Sequence, residues 1–216
     1  MVEKSFSLSS FDARRNINKT EKIYIAKFIT ENLTAGETIF LGAGTTLSFV
    51  AEEIAKRRDL QMMKIWTNNL AILNLWFKKY EWVFLNNFVG IVSGELSSRN
   101  MSVINLSLPF NDIPKLIMGT PGISSAKGLS ADDIYTVEQV GSLIKRAETI
   151  ILAIDRSKIG RNCTYETRSR RMLKLDIKKG KSYLLVTNRS VAKNESPQAK
   201  EELKKLQEIG FKIEEV

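Results

Sequence analysis

Five short stretches bring together glycines, hydroxyls, amides and charge in ways that could do chemistry. The first is Leu41-Gly42-Ala43-Gly44-Thr45-Thr46. Two glycines allow close backbone approach to a ligand, and two threonines supply hydroxyl donors where a helix begins. Free N–H groups and the helix dipole at such a point favour a phosphate or carboxylate. The same residues would equally serve as a plain glycine turn with a threonine N-cap. It is not a Walker loop, because no lysine follows the glycines at the required place. Trp66-Thr67-Asn68-Asn69-Leu70 is the second stretch, readable as a helix cap or as a set of ligand-facing amides. Val92-Ser93-Gly94-Glu95 and Gly119-Thr120-Pro121-Gly122-Ile123-Ser124-Ser125 are glycine-bearing turns. The fifth, Ile154-Asp155-Arg156-Ser157-Lys158-Ile159-Gly160, sets an acid and a lysine after a strongly apolar run.

The chain has 216 residues, no histidine and a single cysteine, Cys163. Ser-His-Asp and Cys-His catalysis are therefore excluded, as are a structural zinc site and an internal disulfide framework. Catalysis would have to come from carboxylates, lysines or backbone dipoles, and neither a metal nor a cofactor is expected.

The elements that must position these stretches alternate between apolar runs and helical periods. Helices are expected at Glu21 to Leu33, Thr45 to Arg57 and Asn69 to about Lys79. Thr136-Val137-Glu138-Gln139 fits a capping box, followed by the stripe Val140, Leu143, Ile144 and Ala147. A last helix carries Ala199, Leu203, Leu206 and Ile209, with Gly210 placed to end it. Strands are expected at 38–41, 64–66, 82–85, 89–92, 115–118, 149–154, 183–186 and 211–213, while 100–111 has no assignable period. Strands apolar throughout, alternating with helices, imply an α/β fold with a mainly parallel, Rossmann-like sheet covered on both faces. Ligands in such sheets bind beyond the carboxyl ends of strands, where all five stretches fall. One domain spanning 1–216 is the simplest organisation.

Net charge is +9, and it is uneven. Residues 156–181 hold ten basic residues against Glu166 and Asp176, a local excess of +8. Such a segment attracts anions, whether phosphorylated metabolites or nucleic acid. Only Tyr165 interleaves with it, which disfavours single-strand stacking.

In this order, Gly44-Thr45-Thr46, Thr67-Asn68-Asn69-Leu70, Ser93-Gly94-Glu95-Leu96, Gly119 to Ile123 with Gly128-Leu129, and Asp155 to Gly160 resemble the C-terminal sensor domain of DeoR-family transcriptional regulators. The likeness starts near Arg14 and Lys22. The resemblance implies a fold similar to ribose-5-phosphate isomerase, glucosamine-6-phosphate deaminase and CoA transferases. It further implies a phosphorylated sugar or related metabolite as ligand and a homo-oligomeric assembly. By that resemblance Gly44, Thr45 and Thr46 would hold the phosphate, Thr67, Asn68 and Asn69 would line the pocket with Ser93 and Gly94, and Lys158 would add charge. The family's helix-turn-helix is not expected in this chain, so any contact with DNA would be indirect. Three positions depart from the pattern. Gly42 replaces an acid, Ser97 (with Arg99 nearby) stands where a basic residue is common, and Val140 stands where another is usual.

A metabolite-sensing regulatory domain is the function these features favour. An isomerase or deaminase using Asp155 with Lys158, and direct nucleic-acid binding through 156–181, are the alternatives. The ribose-5-phosphate isomerase acid signature is missing from the Gly119 to Gly122 loop. No apolar run reaches membrane-spanning length and MVEKSFSLSS lacks a secretory core, so a cytoplasmic protein is expected.

Overall fold

The computed structural model describes residues 11–97, 100–189 and 197–216. In chain order it opens with α1 (Phe11–Asn16), α2 (Lys19–Glu31), β1 (Thr38–Leu41), α3 (Thr45–Ile54), β2 (Lys64–Thr67) and α4 (Leu70–Lys79). There follow α5 (Trp82–Asn86), β3 (Phe88–Ile91), β4 (Ser93–Ser97), β5 (Ser102–Ser107), β6 (Ile113–Met118), β7 (Gly122–Ser124) and β8 (Gly128–Ala131). The remainder is α6 (Ile134–Arg146), β9 (Ala147–Ala153), β10 (Tyr165–Ser169), α7 (Arg170–Lys178), β11 (Ser182–Thr187), α8 (Pro197–Ile209) and β12 (Lys212–Glu215).

Seven strands form one sheet in the order β12-β11-β9-β6-β1-β2-β3, and every pairing in it is parallel. Alternate residues of each strand feed two separate cores. Ile39, Leu41, Ile65, Ile117 and Ala153 pack with α2, α3 and α4, through Ile25, Ile29, Val50, Ile54 and the fully buried Trp76. Phe40, Leu116, Met118, Ile150, Leu152 and Leu185 pack with Leu143 and Ile144 of α6 and with Leu203 and Leu206 of α8. Burial on both faces explains why these strands read as unbroken apolar runs.

From β1 the chain moves outward to β2 and β3, then returns to place β6 on the other side of β1. The gap between the carboxyl ends of β1 and β6 is thus the topological switch point, where parallel sheets bind ligands.

Several local expectations are corrected. Residues 82–85 form α5 rather than a strand. Trp82 and Val83 turn inward, and the Trp82 Nε1 donates to the Ala55 carbonyl at 3.0 Å, while Leu85 is 78% exposed. A four-residue apolar run carries no period that separates helix from strand. The helix assigned to the capping box begins earlier. Asp133 is the N-cap, accepting from the Thr136 N–H at 2.8 Å, and Ala147 belongs to β9. The unassigned stretch 100–111 contains β5, the antiparallel partner of β4. A three-stranded sheet, β10-β8-β7, and α7 also went unanticipated, because short polar strands and a strongly basic helix carry little apolar signal. Gly210, at φ 116°, ends α8 as expected.

Candidate functional site

A cavity of about 430 Å3 opens at the switch point. Its floor is the turn after β1, Gly42 to Leu47, facing Met118 to Pro121 after β6. Gly42 N–H donates to the Ile117 carbonyl at 2.9 Å, tying the two strand ends together. A Cβ at Gly42 would sit 3.2 Å from the Cβ of Met118, so a larger residue there would push against β6.

Gly44, at φ 129°, is the N-cap of α3 and supplies no side-chain cap. The first intrahelical bond runs from Ser48 N–H to the Gly44 carbonyl, so the N–H groups of Thr45, Thr46 and Leu47 begin the helix without intrahelical partners. Thr67, Asn68 and Asn69 are fully buried and do not line the cavity; they hold its floor from beneath. Thr67 Oγ1 donates to the Leu41 carbonyl at 2.7 Å, and Asn69 Nδ2 donates to the Gly44 carbonyl at 3.2 Å. These bonds hold the turn's carbonyls down toward the sheet. Asn69 also caps α4, accepting from Ala71 N–H at 3.1 Å, so its helix-cap reading holds while its amide braces the turn and does not face the cavity. Asn68 Nδ2 donates to the Val103 carbonyl, which anchors β5 to the same layer.

The opposite wall is cationic. Lys158 lines the cavity and pairs with Asp155 at 3.3 Å. Asp155 is 2% exposed, and it also accepts from Asn18 Nδ2 at 3.0 Å and from Ser157 Oγ. Burial alone would push its carboxyl up, but the Lys158 ammonium and these hydrogen bonds outweigh burial and hold it below the usual carboxylate range. Lys22, 3% exposed, reaches the cavity from α2 and donates to the Arg14 carbonyl at 2.6 Å. Burial, with Lys158 and Arg14 nearby, lowers its ammonium to about 8 against the opposing pull of Asp155. Asn18 adopts a left-handed conformation at φ 50°, which turns the chain from α1 into α2. Arg15 then secures α1 on α3, donating to Ser48 Oγ at 3.0 Å and pairing with Glu52 at 2.8 Å.

Of the expected site residues, Gly44, Thr45, Thr46 and Lys158 meet at the cavity. Ser93 and Gly94 lie away from it on the β4–β5 hairpin. A Cβ at Gly94 would fall 2.2 Å from the Ile104 carbonyl, so this glycine is needed for strand approach. Val140 lines the cavity as an apolar wall and Ser97 sits on β4, while Arg99 lies outside the described residues. Thr120, from the fourth glycine-bearing stretch, and Gln139, expected only as part of a capping box, also line it, as do Asn18 and Asn100, which were not singled out in the sequence. Nothing in the local context of Asn18 or Asn100 marks them, since each is brought in by a different part of the chain. Among the described residues no group of three or more His, Cys, Asp or Glu could hold a metal ion, and no helix is long and apolar enough to cross a membrane.

The basic segment divides in two. Arg156 pairs with Glu215, Arg161 with Asp132 at 2.8 Å, and Arg168 with Asp176, while Lys181 donates to carbonyls at the end of α6 and Lys158 is held by Asp155. Arg170, Arg171, Lys174, Lys178 and Lys179 remain exposed along α7 and its end.

Comparison with known proteins places this architecture. The chain is 30% identical to the glycerol-3-phosphate regulon repressor of Escherichia coli over 153 residues, covering 69% of this chain and 58% of that protein. It is 31% identical to the lactose phosphotransferase system repressor of Streptococcus mutans over 147 residues, covering 65% and 55%. It therefore spans little more than half the length of these relatives. Among solved structures it is similar to ribose 5-phosphate isomerase A of Methanocaldococcus jannaschii, at 16% identity and a TM-score of 0.47, covering 65% of this chain and 54% of that one. The α/β class rests on the parallel sheet itself. The family model of the DeoR C-terminal sensor domain matches residues 17–175, which hold five of the sheet's seven strands and nearly all of the cavity lining, and the chain belongs to that family.

Proposed function

We propose that this chain is the effector-binding domain of a transcriptional regulator and that its cavity takes a phosphorylated sugar or a related small phosphometabolite. One observation carries the reading: the uncapped N-terminus of α3 lines the same switch-point cavity as the buried Lys22 and the half-buried Lys158. A phosphate there would accept from Thr45 and Thr46 while its charge meets two lysines. The cavity volume lies within the usual range for small-molecule sites. The relatives' names, a glycerol-3-phosphate regulon and a phosphotransferase system, agree with a phosphorylated effector. Ligand occupancy would shift a homo-oligomer between states of different DNA affinity, with DNA contacted through a helix-turn-helix outside this domain.

Isothermal titration with inorganic phosphate, glycerol 3-phosphate and a hexose 6-phosphate, each against its unphosphorylated parent, tests the proposal. Binding confined to the phosphorylated compounds is expected. Absence of heat and of thermal stabilisation with all of them at millimolar concentration overturns it.

The enzyme reading is disfavoured by Asp155. A general base works best with a pKa near the working pH, whereas this carboxyl is held low and is already engaged by Asn18, Ser157 and Lys158. We therefore propose a binding domain without isomerase activity, and turnover of ribose 5-phosphate that disappears in Asp155→Asn would refute this. Direct contact with DNA phosphates is the second reading, supported by the five exposed cations at α7.

A further inference from the structure

The large sheet is covered unevenly. Helices α2, α3 and α4 lie over the face that carries Ile39, Leu41 and Ile65. On the other face α6 and α8 cover the region of β6, β9, β11 and β12. Beyond them, over β1, β2 and β3, that face carries Phe40, Trp66 and Phe88 and forms a groove of about 330 Å3. None of the groove's lining residues belongs to a helix, and Phe88 is 53% exposed. A parallel sheet normally has both faces covered, and among the described residues no helix lies over this end of the face.

The groove is lined by a cluster of tilted aromatic rings. Gly90 makes room for the Trp66 indole to lie across β3, since a Cβ there would fall 2.5 Å from two of its ring carbons. Phe88 and Phe110 flank the indole, with ring centroids 5.2 Å and 5.0 Å away. Two opposite charges, Lys64 and Asp112, also line the groove; both are exposed, and neither is ion-paired among the described residues.

We infer that this groove is the contact between two copies of the chain. One cation and one acid on the same apolar platform form a self-complementary surface. A two-fold axis through the groove brings Lys64 of each copy to Asp112 of the other and seats Trp66 and Phe88 against their counterparts. A partner of single charge sign would leave one of these two groups opposed to its own kind. The groove opens at the amino ends of β1 to β3 and shares no lining residue with the switch-point cavity, so pairing leaves that cavity open in both copies.

Sedimentation velocity of the 216-residue chain over micromolar concentrations tests the assignment. A dimer is expected, with tryptophan emission shifting to the blue on association, because Trp76 and Trp82 are already buried and only Trp66 changes environment. Phe88→Glu should give a monomer whose circular dichroism and phosphate-ligand binding are unchanged. Lys64→Asp should weaken association by about tenfold or more, and the pair Lys64→Asp with Asp112→Lys should restore it. The exposed charge variants keep the test decisive if Phe88→Glu folds poorly. A monomeric wild type overturns the inference and leaves the groove to a small apolar ligand or to another domain. A dimer indifferent to Lys64→Asp and to Asp112→Lys, each made singly, overturns it as well, since the contact then lies elsewhere.

Discussion

Lys22 offers the most demanding test of the proposed site, because its charge is costly to hold where it is. Burial and the facing cations Lys158 and Arg14 lower its ammonium to about 8, while Asp155 and Glu21 pull the other way. A phosphate bound at Gly44–Thr46 would add negative charge beside it and favour the protonated form. Hydrogen bonds to charged groups contribute about 1.5–3 kcal/mol, so Lys22→Met should weaken phosphate-ligand binding by roughly ten- to a hundredfold at neutral pH. The pH profile carries the same signature. A phosphomonoester is largely dianionic above a pKa of about 6, so wild-type affinity should be greatest between that value and the lowered value of Lys22. Above about 8 the free protein has a neutral Lys22 and must take up a proton on binding, so affinity should then fall with rising pH. Titration calorimetry in two buffers of different ionisation enthalpy reads both affinity and proton uptake. Lys22→Met should bind weakly, take up no such proton and lose the decline above pH 8. An unchanged affinity in Lys22→Met, or a decline that persists in it, would refute the reasoning.

Other consequences can be checked on stability. Folded Lys22 binds fewer protons than unfolded Lys22 between about 8 and its ordinary 10.5, so its contribution to stability should rise with pH across that window, as urea titrations would show. Asn69→Ala should cost about 1–3 kcal/mol, because it removes the α4 cap together with the clamp on the Gly44 carbonyl. It should also weaken phosphate-ligand binding without touching the ligand, and an affinity left intact would count against the clamp. Asp176→Asn should cost about 3 kcal/mol or more, since Asp176 pairs with Arg168 and accepts from the Tyr183 hydroxyl at 2.7 Å in a buried setting. A denaturation midpoint that does not move would contradict that network. On α7, joint Arg170→Ala and Arg171→Ala replacement should leave phosphate-ligand affinity unchanged, and it should lower the salt slope only if the domain contacts duplex DNA directly.

Much of the fold was legible because parallel strands advertise themselves. Thr38–Leu41, Ala147–Ala153 and Ser182–Thr187 are apolar on both faces, and the turn residues after each stand where the chain must reverse. The Gly44-Thr45-Thr46 turn could be picked out for the same reason, since the groups on which the proposed anion site rests are its own backbone and neighbouring hydroxyls. Side chains whose partners are distant in the chain were not legible. Asp155 is held by Asn18 from 137 positions away, which makes it a fixed counter-charge and not a free base. Nothing local to Lys22, on a helix of mixed polarity, tells that folding buries it beside Lys158. Thr67 and Asn69 have the same composition whether they face a ligand or brace the turn beneath it, and only the pairing of β1 with β2 separates the two. The basic segment loses half its cations to carboxylates and carbonyls recruited from elsewhere in the chain. Local chemistry dictates what a stretch can do, and long-range packing dictates which partner it does it with.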